Sequence, residues 1–513
     1  MAQPTRRTSS PEFETYKEQM ASPARNLEET LPPNNHHRAI VLCFDGTGDQ
    51  FDEDNSNIVS FLSLLKKDDP SKQLVYYQSG IGTYNIPQIA KPMMAKFKRL
   101  LDSMMYAVLS FRILSVLTIV LAPAPLFASY LSDIRHADRV GDKIYIFGFV
   151  YLAFLLYIAR ALAGMLHKIG LLPRGNQQQV AFAYKMYTRE DDLGWKQSNA
   201  FKKAFCIDVN IELLGVWDTV GSVGLFPRRL PFTTSNSHVR YFRHALALDE
   251  RRVRFQPNFW IRSHPTVHAL GVQPSEMPRS RPEPKSTKSK LSLREKERTY
   301  DAEAGLSAEA QHTDVLEVWF AGCHCDIGGG SVRNEERHSL ARIPLRWMIR
   351  QCFLLQTDIL FHRDLLPKVG LDPESLWPVV RPKDEVKVKP METSSSSSSA
   401  ASARDEASFL GEEEEERRDA LSPVYDQLSL KPHWWFLELI PAKVRYKLAD
   451  NATWLQKLLS FRWHLGQGRV IPKRQKKHGI HIHKSVKTRM EAAELRYKPR
   501  ARVFDDVEPI WVD

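Results

Sequence analysis

Short apolar runs, each ending at a turn former, recur along the chain. Ala39–Phe44 is such a run and leads into the turn Asp45-Gly46-Thr47-Gly48. A helix is expected over about 56–66, where Ile58, Phe61, Leu62 and Leu65 recur at helical spacing. Residues 74–77 read as a second strand that ends in Gln78-Ser79-Gly80-Ile81-Gly82-Thr83. Lys143–Phe149, Ile211–Trp217 and 315–321 read as further buried strands, separated by helical patterns at 159–169 and 178–187. This alternation predicts an α/β fold built on a mainly parallel sheet flanked by helices.

Two stretches break the pattern. Residues 106–131 are apolar apart from Arg112 and a few hydroxyls, and 144–166 are apolar except for Arg160. Each is longer than the roughly 20 residues that a membrane-spanning helix needs, so together they read as a two-helix membrane hairpin. The same residues from Asp142 to Phe149 also read as a buried strand reaching a sharp turn. The two readings compete.

Polar composition marks the remaining boundaries. Residues 1–37 are expected to be a disordered tail, 277–311 a charged linker, and 373–422 a disordered low-complexity linker with a Ser run and an acidic run. A core of 38–372 and a C-terminal portion of 423–513 are left between and after them. The net charge of +12 admits anionic partners, phospholipid surfaces included. Much of the excess sits in solvated stretches near 279–298 and 469–489, so specific nucleic-acid binding is not expected. Five cysteines are too few and too dispersed for a disulfide framework, and Cys323-His324-Cys325 has no matching pair for zinc. No metal site and no cofactor are expected. Residues 1–38 lack an apolar signal region. The expected location is therefore intracellular, at a membrane if both apolar stretches span one and cytoplasmic otherwise.

Candidate chemistry follows the strands. Open α/β sheets place function just past strand C-termini. Asp218 follows Ile211–Trp217, and His324 follows the run at 315–321 and precedes Gly328-Gly329-Gly330. The order Asp then His is that of an α/β-hydrolase acid and base. His244 is an alternative base, or else a helical surface histidine. Backbone N–H groups at Asp45, Gly46 and Thr47 are candidates for an oxyanion site or a plain tight turn. The strand Lys143–Phe149 and the helix after it have the flanks of a nucleophile elbow. Where G-x-S-x-G requires serine, however, the chain has Gly148-Phe149-Val150.

Four blocks carry a family resemblance: 38–48, 77–83, 215–221 and 324–330. They resemble the signature blocks of the type VI secretion phospholipase effector catalytic-domain family, an α/β-hydrolase-like family abundant in fungi. The resemblance covers roughly 38–372. It implies hydrolysis of lipid or other carboxylic esters by a Ser–Asp–His triad, with Asp218 and His324 as acid and base. Family members carry serine where Val150 stands, so the chain as written is expected to be inactive. Two apolar departures, at about 107–139 and at 150–158, border family-like sequence. They fit a retained or misjoined intron, or a membrane-anchored pseudoenzyme or scaffold with two transmembrane helices.

Overall fold

The computed structural model describes residues 30–46, 51–79, 142–149, 158–173, 176–220, 230–261, 297, 313–381, 409–439, 442–443, 461–472, 475, 479–502 and 508–513. Eight strands form one sheet. They are β1 (Ala39–Phe44), β2 (Gln73–Gln78), β3 (Lys143–Phe149), β4 (Ile211–Trp217), β5 (Val239–Ala247), β6 (Asp314–Phe320), β7 (His481–His483) and β8 (Ile510–Val512). Their order is β8-β7-β6-β5-β4-β3-β1-β2, and every neighbouring pair is parallel. The α/β class read from the sequence is therefore the observed one.

A parallel sheet is covered on both faces, so its central strands are apolar throughout rather than alternating. All six residues of β1 are buried. Its odd positions, Ala39, Val41 and Cys43, join one core with Phe147, Trp217, helix α1 (Asn57–Leu64) and helix α6 (Arg342–Leu354). Its even positions, Ile40, Leu42 and Phe44, face the other core. That core is made with α2 (Ile158–Ile169), α3 (Val180–Thr188) and α4 (Asp192–Phe205).

The membrane reading of 144–166 is corrected by this arrangement. Its first part is β3, hydrogen-bonded between β1 and β4. Its last part lies in α2, packed on the sheet. Arg160, the one charge in the segment, is 2% exposed. It donates to the Thr233 carbonyl at 2.8 Å, the Thr219 hydroxyl at 3.1 Å and the Asn258 carbonyl at 2.5 Å. The stretch is apolar because two buried elements follow one another in sequence. Residues 106–131 lie outside the described residues, and among the described residues no helix is long and apolar enough to cross a membrane.

The expected linker at 373–422 is also corrected in part. Residues 382–408 lie outside the description, but Pro373–Leu376 is a helical turn and Glu412–Leu421 is a helix, α7. The acidic run is ordered because Glu415 and Asp419 are buried against arginines. Arg342 reaches Glu415 at 3.0 Å, and Arg346 reaches Asp419 at 2.5 Å. The C-terminal portion, moreover, continues the core: β7 and β8 extend the same sheet beyond β6.

Parallel pairing puts all strand C-termini on one edge. The order reverses between β1 and β3, the kind of switch point where a crevice opens in an open α/β sheet. Asp45 follows β1, Phe149 ends β3, Asp218 follows β4, Asp249 and Glu250 lie just past β5, and His324 lies just past β6. The expected catalytic groups thus gather at one edge of the sheet.

Candidate active site

Asp218 sits immediately after β4 with φ of +40°, a left-handed conformation uncommon outside glycine. Two backbone bonds hold that turn. The Asp218 N–H donates to the Ala245 carbonyl at 2.7 Å, and the Thr219 N–H donates to His244 Nε2 at 3.1 Å. The turn aims the carboxylate at β6, where His324 opens the short helix α5 (His324–Gly328). His324 Nδ1 lies 2.6 Å from Asp218 Oδ2, and both side chains are fully buried. An ionised carboxylate only accepts, so Nδ1 carries the proton and Nε2 is the basic nitrogen of the neutral ring.

The carboxylate has further partners. Asp218 Oδ1 accepts the Ala247 N–H at 2.9 Å and Arg469 Nη1 at 2.6 Å, and Oδ2 accepts Arg469 Nη2 at 2.8 Å. Burial alone would push this carboxyl up. The Arg469 charge and the hydrogen bonds from His324 and Arg469 outweigh it and hold the group far below the ordinary carboxylate range. Arg469 carries no such signal in the sequence, because it stands in a basic stretch whose pattern reads as solvated tail.

The histidine is fixed on its other sides. Its backbone N–H donates to Glu250 Oε2 at 3.2 Å, and Glu250 is itself paired to Arg252 at 2.8 Å. Burial raises the Glu250 carboxyl, but the Arg252 charge dominates and brings it down to about 2. The Phe149 ring lies 5.0 Å from the imidazole and the Phe255 ring 4.8 Å from it. Phe149 is the last residue of β3 and directly precedes position 150. Two glycines allow the approach. A Cβ on Gly328 would come within 1.7 Å of the Phe149 ring, and one on Gly148 within 2.6 Å of the Ala159 Cβ at the start of α2. Val150 itself lies outside the described residues.

The other expected residues are placed differently. His244 is not on a surface helix. It lies in β5, fully buried, with Nδ1 3.1 Å from Glu317 and Nε2 accepting from Thr219. Both ring nitrogens are engaged away from His324, which removes the ground for His244 as the base. Asp45 is buried at the end of β1 and accepts from Ser56 Oγ at 2.6 Å, Tyr77 Oη at 2.8 Å and its neighbour's N–H at 2.8 Å. Burial pushes its carboxyl up against those three bonds. The Gly46 N–H is therefore occupied by Asp45 rather than presented to an oxyanion, and Thr47 lies outside the described residues.

The thiol of Cys323, next to His324, is not an activated nucleophile. Burial and the surrounding carboxylates push it well above the ordinary thiol value, and Sγ donates to the Asp249 carbonyl. Among the described residues no group of three or more His, Cys, Asp or Glu is arranged to hold a metal ion.

The family model described as "T6SS, Phospholipase effector Tle1-like, catalytic domain" matches residues 38–351, well over half of the chain. The chain belongs to the Tle1-like phospholipase effector family. The Tle1-like region contains Asp45, Asp218 and His324, and Arg469 lies beyond it. The uncharacterised protein YEL023C of Saccharomyces cerevisiae is 34% identical over 248 residues, covering 45% of this chain and 34% of that protein. The chain thus spans about a third of the length of the curated relative it matches. A structure of the Tle1 effector bound to the VgrG spike of the type 6 secretion system aligns at 17% identity with a TM-score of 0.23. It covers 58% of this chain and 51% of that one, a likeness that carries no argument.

Proposed function

We propose that this Tle1-like domain takes ester lipids at the strand C-termini around His324, and that with valine at position 150 it does so without serine-dependent hydrolysis. The observation that carries the reading is the Asp218–His324 pair, with His324 packed against Phe149. That pair is the acid and base of a serine hydrolase, and the residue next in the chain after Phe149 stands at the nucleophile's place in the elbow pattern. Membership of the phospholipase effector family supports lipid esters as the substrate class. The basic balance of the chain, +12, favours approach to anionic lipid surfaces.

The chemistry is defined by what a serine at 150 would do. Its hydroxyl attacks the ester carbonyl, its proton passes to His324 Nε2, and Asp218 keeps the Nδ1–H oriented and stabilises the imidazolium. The proton then goes to the leaving alkoxide, and water regenerates the serine by the same path. Valine has no proton to give and no lone pair with which to attack. Loss of a nucleophile can cost on the order of a million-fold in turnover.

The test is fatty-acid release from anionic phospholipid vesicles. The wild-type chain is expected at background and the Val150→Ser chain above it. Release by the wild type that disappears in His324→Ala would place the nucleophile elsewhere. A folded Val150→Ser chain with no release would refute the site.

A further inference from the structure

We propose that Arg469 is a positioning residue of the acid–base pair, so that the C-terminal portion, outside the family-matched region, completes the site. Its guanidinium has five N–H donors, and each has an acceptor. Nη1 donates to Asp218 Oδ1 at 2.6 Å and the Ala247 carbonyl at 3.0 Å. Nη2 donates to Asp218 Oδ2 at 2.8 Å and the Phe255 carbonyl at 2.6 Å, and Nε donates to that same carbonyl at 3.1 Å. The residue is 1% exposed. A fork gripping both carboxylate oxygens leaves the group no freedom to rotate, which a single hydrogen bond or a point charge would not achieve.

The carboxylate is filled by the same arrangement. Each of its oxygens accepts two bonds: Arg469 and Ala247 on Oδ1, Arg469 and His324 on Oδ2. The imidazole therefore meets an oxygen whose direction Arg469 has set. Phe255 links the two further, because its carbonyl holds the guanidinium while its ring packs on His324. The backbone that delivers Arg469 is itself fixed. Its carbonyl accepts the Arg502 N–H at 2.8 Å, and Ile471 is buried with Leu246, Leu248 and Trp319 beside the ends of β5 and β6.

The experiment reads the Nδ1–H···Oδ2 bond directly and is independent of turnover. Proton NMR of the full chain, labelled with ¹⁵N-histidine, should show a far-downfield Nδ1–H resonance that is absent from His324→Gln. Arg469→Lys keeps the charge but loses the fork, and Arg469→Gln loses both. In protein shown to be folded by far-UV circular dichroism, both variants are expected to shift that resonance or broaden it through exchange with water. If the glutamine variant unfolds, the lysine variant decides. A resonance unchanged in position and width in Arg469→Lys would reduce Arg469 to a structural tie between segments and overturn the proposal. The inference rests on the proposed function only in its use of His324 as base. An inactive Val150→Ser chain with an Arg469-dependent resonance would refute that function and leave the clamp standing.

Discussion

Asp326 lies in the first turn of the helix that His324 opens, and its ionisation should be visible in the stability of the whole chain. The side chain is 3% exposed. Its Oδ2 accepts the Cys323 N–H at 2.7 Å and the Tyr425 N–H at 3.1 Å, and no guanidinium or ammonium is bonded to it among the described residues. Burial raises its carboxyl to about 7, with the two N–H bonds only partly opposing. A folded-state value raised above the ordinary ~3.9 means that the folded chain holds the proton more tightly. That stabilisation is complete below pH ~4 and is lost as the pH rises through about 7. At 1.36 kcal/mol per unit, the two units between pH 5 and pH 7 amount to roughly 3 kcal/mol. Asp326→Asn removes the titration and keeps an oxygen for both N–H donors. Urea unfolding of the two proteins at pH 5 and pH 8 should give stabilities whose difference grows from the lower pH to the higher. By pH 8 the variant should be the more stable by roughly 3 kcal/mol relative to that starting difference. Parallel curves across that range would mean that the carboxyl ionises freely, and the reasoning would fail.

Two other substitutions probe how the site is held. Gly328→Ala places a methyl within 1.7 Å of the Phe149 ring, and displacing the ring should cost about 1–3 kcal/mol in thermal or urea unfolding; an unchanged midpoint would show that the ring moves without resistance. Asp218→Asn removes the anion that faces the buried Arg469 and should destabilise by about 3–5 kcal/mol. Because the folded Asp218 carboxyl is depressed, its contribution is present above pH ~4 and is lost as the pH falls below that. The variant should accordingly lack the acid limb of the wild-type stability curve, and an identical limb in both would contradict the assignment.

What sequence patterning could show depended on whether a residue's partners were local. The strands Ala39–Phe44, Lys143–Phe149 and Ile211–Trp217 were legible because a strand buried on both faces is a short apolar run. Asp218 and His324 were legible because each follows such a run. The strand Val239–Ala247 was not, since Arg243 and His244 interrupt it. Both are buried, with Arg243 bonded to Gln351 and Asp314 and His244 bonded to Glu317, all distant in sequence. The acidic run at 412–416 read as disordered for the same reason, its neutralising arginines lying some 70 residues earlier on another helix. Arg469 gave no local signal. Its role exists only once a segment 251 residues away folds against it.

The most direct test of the central claim is covalent labelling with a fluorophosphonate probe, which reacts with serines activated by a histidine base. The Val150→Ser chain is expected to be labelled at residue 150, with mass spectrometry locating the adduct and His324→Ala abolishing it, while the wild type stays unlabelled. Labelling of the wild type, or a folded Val150→Ser chain that resists the probe, would contradict the account.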